Sequence, residues 1–143
     1  MADERTSEIV DQVRDDHSRL DELFSQLREA IADGVGTATV TDLFVRLRTS
    51  LEVHLAQEDR VYYPGLRYLR PEHRRMLDAF CAAHDDFRGE LAEIASALGD
   101  ALGAEAERRI EALARHFEMH ESAEELLLQR IDDELREGLR RPA

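Results

Sequence analysis

Six residues of two kinds could do chemistry together in this chain: His17, His54, Glu58, His84, His120 and Glu124. The pairs in HLAQE (54–58) and HESAE (120–124) have the i, i+4 spacing that turns both side chains of a helical pair the same way. Imidazole and carboxylate donors without thiolate suit iron, manganese or zinc. Two carboxylates that each bridge favour two metal ions over one. A lone histidine on an apolar face is ordinarily a hydrogen-bonded core residue, and His17 or His84 taken singly invites that reading. The hydrophobic pattern in which the six are embedded decides otherwise.

Apolar residues recur at helical spacing in four segments. Ile9, Val13, Leu20, Phe24, Leu27 and Ile31 mark the first, which GVG at 34–36 ends. The second begins near TATVTD with a threonine cap, carries Val40, Leu43, Leu47, Leu51, Leu55, Val61 and Tyr62, and closes at Pro64-Gly65. Pro71 suits the first turn of the third, which holds Leu77, Phe80, Cys81, Phe87, Leu91, Ile94 and Leu98 and stops near Gly99. Ala106, Ile110, Leu113, Phe117, Leu127, Ile131 and Leu135 follow Gly103 in the fourth. Short connections predict antiparallel neighbours, hence an all-α bundle of four helices forming one domain over 1–143. The tail RRPA is expected to fray.

Each stripe is interrupted near its middle, by His17 in the first helix, His54 and Glu58 in the second, His84 in the third, and His120 and Glu124 in the fourth. At about 1.5 Å per residue, His17 lies roughly 25 Å before the first connection, and His54 and Glu58 roughly 23 and 28 Å after it. His84 and His120 lie about 21 and 25 Å from the last connection. The six therefore share one depth. Buried carboxylates without a paired cation are costly and normally neutralise. Here no lysine or arginine interrupts the stripes beside them, and a metal ion would supply the missing charge.

Composition agrees with this reading. Of 143 residues, 43% are apolar and 36% charged, with 7 Gly and 3 Pro, which suits a helical bundle better than a disordered or β-rich chain. A chain of this length buries about 70% of its unfolded surface. The net charge of −13 argues against a nucleic-acid partner. Cys81 is the sole cysteine, so no intrachain disulfide forms and a reducing compartment fits. With no secretory leader and no apolar run of membrane-spanning length, the expected location is the cytoplasm, with no membrane partner.

Other ionisable or polar residues near the layer read differently. His116 is open between a further ligand, a hydrogen-bond partner of a ligand, and a surface residue. Tyr62, one turn beyond Glu58, is either core or a neighbour of the centre. Cys81 reads as a small buried hydrophobe, whereas His73, Glu118, Glu121 and Glu125 read as solvent-facing.

DDHSRL around His17, HLAQEDRVYYPGL from His54, AAHDDF around His84 and HESAEELLL from His120 together resemble the hemerythrin-like, HHE cation-binding family. The order His, His-x-x-x-Glu, His, His-x-x-x-Glu spans the whole chain. The resemblance implies an up-down-up-down antiparallel bundle holding two iron ions in an oxo- or hydroxo-bridged diiron centre. His17, His54, His84 and His120 would be terminal ligands, with Glu58 and Glu124 as bridges. Oxygen-carrying hemerythrins use five histidines and two carboxylates, with an additional His-x-x-x-His pair on the third helix; here Phe80 and Arg88 flank His84 at those spacings. The expected partner is a small ligand, O2, H2O2 or NO, shielded by Phe24, Phe80, Phe87 and Phe117. Three functions are in contention: peroxide detoxification or similar turnover, reversible O2 or iron binding for carriage, sensing or storage, and a structural bundle holding zinc or nothing.

Overall fold

The computed structural model describes residues 2–140. Its elements are α1 (Ala2–Ala32), α2 (Thr37–Gln57), a π-helical turn (Glu58–Tyr62), α3 (Tyr63–Leu69), a 3-10 turn (Pro71–His73), α4 (Arg74–Asp100) and α5 (Ala104–Arg140). α2, the π turn and α3 run on without a break, so the chain makes four rods. No strand occurs among the described residues. α1 packs against α2 and α5, and α4 packs against α5 and α2. With connections this short, that ring is an antiparallel up-down-up-down four-helix bundle. The fraying expected of the tail falls mostly on 141–143, outside the described residues.

The first connection is built on Gly34, whose φ of 70° is the left-handed conformation that glycine adopts without a Cβ clash. Val35 N–H donates to the Ala30 carbonyl at 3.2 Å and Gly34 N–H to the Ile31 carbonyl at 3.1 Å. That pair of bonds is a Schellman closure, and it satisfies carbonyls that a helix end otherwise leaves bare. The threonine cap expected for α2 is absent. Gly36 occupies the cap position without a side-chain bond, and the Thr37 hydroxyl instead accepts the Leu102 amide at 3.2 Å, linking the two connections at that end of the bundle.

Pro64-Gly65 does not close the second helix. The Tyr63 N–H bonds to the Glu58 carbonyl, five residues back, and this wide turn opens the ladder just ahead of Pro64. A proline ring would otherwise meet the carbonyl four residues behind it. The helix therefore continues to Leu69. One residue added to the turn also rotates everything after it. Val61 is 49% exposed and Tyr62 half-buried, while Tyr63 and Leu66 are fully buried. The inward register passes from Tyr62 to Tyr63.

The core has two apolar halves. One, with Leu20, Phe24, Leu27, Leu47, Leu51, Leu91, Ile94 and Leu113, lies towards the 33–36 and 101–103 connections. The other, with Val10, Val13, Tyr63, Leu66, Leu77, Phe80, Leu127 and Ile131, lies towards the opposite end. Between them sits a polar layer. Phe44, which the stripe reading missed, is buried in the first half. Among the described residues no helix is long and apolar enough to cross a membrane.

Candidate metal centre

All six residues converge in that layer. α1 supplies His17, α2 His54, the first residue of the π turn Glu58, α4 His84, and α5 His120 and Glu124. Their exposure runs from 0 to 8%, and Glu58, His84 and Glu124 are fully enclosed. His17 Nε2 lies 3.0 Å from Glu124 Oε1, and His54 Nε2 lies 3.0 Å from Glu58 Oε1. His84 Nε2 is 3.5 Å from Glu58 Oε1, and His120 Nε2 is 4.0 Å from Glu124 Oε2. Each carboxylate thus faces one histidine of the His17/His54 pair and one of the His84/His120 pair.

Buried polar atoms ordinarily find a hydrogen-bond partner. Here His17 Nε2, His54 Nε2, both oxygens of Glu58 and Glu124 Oε1 have none. A cation is what such inward-facing lone pairs accept. Donor atoms of Glu58, His84, His120 and Glu124 all lie within 4.8 Å of one another, as do those of His17, His54 and Glu124. These two groups can each hold a metal ion, and Glu124 belongs to both. The donor set fits the expected chemistry.

Carboxylates behind the imidazoles fix which nitrogen faces inward. Asp16 Oδ2 accepts His54 Nδ1–H at 3.0 Å, Asp59 Oδ1 accepts His84 Nδ1–H at 2.7 Å, and Glu125 Oε1 accepts His17 Nδ1–H at 2.9 Å. Such a bond holds the ring, sets its tautomer and leaves Nε2 free as a donor to metal. Asp16 is in turn held by Gln12 and Arg19, and Asp59 by Arg88. Each partner is adjacent in sequence to a layer residue yet serves another helix: Asp16 precedes His17 but holds His54, and Asp59 follows Glu58 but holds His84. The acidic neighbours are visible in DDH and QED, whereas their partners are set only by the packing.

Tyr63 is the functional residue that sequence reasoning missed; Tyr62, which the sequence leaves open between core and a neighbour of the centre, is half-buried beside it. The Tyr63 hydroxyl donates to Glu124 Oε2 and lies 3.5 Å from His84 Nε2. Three surface assignments also change. Glu121 is 8% exposed, with Oε2 3.6 Å from His17 Nδ1. Glu125 is half-buried on His17, and His73 is buried against Glu134 at 2.9 Å. Glu118 does face solvent. His116 is exposed and bonds Glu90 at 2.7 Å, away from the layer. Cys81 is half-buried and polar in its contacts, since its sulfur accepts Arg67 Nη2 at 3.1 Å.

Of the four phenylalanines expected to shield the site, Phe80 and Phe87 turn ring edges onto His120 with centroids 5.2 Å apart, and Phe117 meets His17 at 5.9 Å. Phe24 stacks on Phe117 at 5.8 Å, one step removed from the layer.

Electrostatics follow from this enclosure. Burial, and then the charge of Glu124, pushes Glu58 well above the usual carboxylate range. Burial lowers His54 and His84 against the opposing pull of Asp16 and Asp59, and lowers His120 to about 4. For His17, burial is outweighed by the close carboxylates of Glu124 and Glu125, and its pKa rises. Burial raises Tyr63 and, with Asp21 beside it, takes Glu121 to about 9.

A family model, Hemerythrin HHE cation binding domain, matches residues 8–131. No curated protein and no solved structure matches the chain significantly. The match takes in all four rods and all six layer residues, and the chain belongs to the hemerythrin HHE cation-binding family.

Proposed function

We propose that the protein holds a carboxylate-bridged pair of iron ions and reacts there with O2, H2O2 or NO. The observation that carries the reading is the double role of the carboxylates: Glu58 and Glu124 each face both histidine pairs. His17 and His54 would hold one ion, His84 and His120 the other, with Glu58 and Glu124 between them. Bound iron would supply the electrons and coordination positions that these small molecules need. The chain's own residues do the rest. Asp16, Asp59 and Glu125 orient imidazoles, Tyr63 offers a proton donor to Glu124, and the phenylalanines exclude water.

Turnover is favoured over carriage, because His116 lies outside the layer and four histidines leave more coordination positions than the five of the oxygen carriers. A cytoplasmic location accords with the single thiol. Steady consumption of H2O2 by the iron-loaded protein, unaltered in His116→Ala, is the expected result. An oxygenated spectrum that reverses under vacuum, with no consumption, would instead make the protein a carrier or sensor.

A further inference from the structure

The four imidazoles are not held alike. His17, His54 and His84 each give Nδ1–H to a carboxylate, at 2.9, 3.0 and 2.7 Å respectively. Among the described residues no hydrogen bond is made to Nδ1 of His120. Its polar contacts are both at Nε2, with His84 Nε2 at 3.2 Å and Glu124 Oε2 at 4.0 Å. What surrounds the ring is aromatic: the edges of Phe80 and Phe87, each at 5.2 Å, and the face of Phe117 at 6.3 Å. These contacts pack the ring without fixing a tautomer. His120 is also the most exposed of the six, at 8% against 0–3% for the rest.

From this asymmetry, and resting on the metal reading above, we infer that His120 is the exchangeable imidazole of the layer. A carboxylate behind an imidazole makes it a stronger donor and restricts its rotation, and loss of such a partner costs roughly 10–100-fold in metal affinity. His120 has neither advantage. When its ring turns aside, the position it leaves is walled by Phe80, Phe87 and Phe117.

Iron content per chain of His17→Ala, His54→Ala, His84→Ala and His120→Ala after anaerobic Fe(II) loading tests the inference. His120→Ala is expected to lose the least iron of the four and to bind added imidazole, with a change in its optical spectrum. The other three are expected to lose half or more. Equal loss in all four, in variants whose circular dichroism shows intact helices, would overturn it. Asp59→Asn supplies an independent reading, because His84 then lacks its carboxylate as His120 does. Extraction of iron by a chelator should accelerate about tenfold or more, and an unchanged rate would contradict the account. If the wild type takes zinc in place of iron, the iron reading falls while the same comparison with zinc decides this one. If it takes no metal, both fall.

Discussion

Glu58 and Glu124 define the chemistry at the residue scale. Two carboxylates fully enclosed beside imidazoles must share either a proton or a cation. Their ligand partners were legible in the sequence because i, i+4 spacing fixes a common direction on any helix. The residues that tune them were not. Asp16, Asp59 and Glu125 look like ordinary solvated acids until three-dimensional packing sets each against an imidazole of another helix. Glu121 looks the same and is buried nonetheless. Tyr63 gives this scale its sharpest test. Tyr63→Phe keeps the ring that packs on His84 and removes the donor to Glu124. Metal content should stay at the wild-type value while chelator extraction accelerates about tenfold. An unchanged extraction rate would reduce Tyr63 to packing alone.

Among the elements, the π turn at Glu58–Tyr62 matters most. Periodicity identified every rod and the depth of the layer, since 3.6-residue spacing survives any choice of caps. It failed where the spacing itself changes. One additional residue after Glu58 shifted the buried position from Tyr62 to Tyr63 and carried the helix through Pro64, which reads as a stop in sequence. No composition signal marks that insertion, because a π turn exchanges one backbone bond for another. Deleting Val61, which is half exposed, should remove the inserted residue and restore α-helical spacing, leaving Tyr63 and Leu66 inward but setting the Pro64 ring against the carbonyl four residues behind it. A proline forced into an α-helix interior predicts a destabilisation of about 3 kcal/mol, read from denaturant melts of the metal-free protein. A variant as stable as the wild type would mean the turn is dispensable.

Across the whole molecule, a charged layer divides the hydrophobic core, and fastenings at both ends hold the halves together. At one end Thr37 accepts the Leu102 amide. At the other, Glu134 on α5 gathers Arg70 and His73 from the connection into α4, together with Arg130. The bond from His73, followed by those from the two arginines, lowers Glu134 to about 2. A carboxylate depressed in the folded state contributes stability above its unfolded pKa, and that contribution disappears as pH falls towards 2. Glu134→Gln should therefore cost about 1 kcal/mol near pH 7, allowing for partial solvent screening. The difference from wild type should shrink progressively below about pH 4.5. A gap that stays constant to pH 2 would rule out the charge as its source.

The central claim concerns the layer itself, and metal content tests it most directly. Protein purified without chelators from iron-supplemented cells should carry close to two irons per chain and little zinc. An empty layer, or zinc in place of iron, would contradict the diiron account.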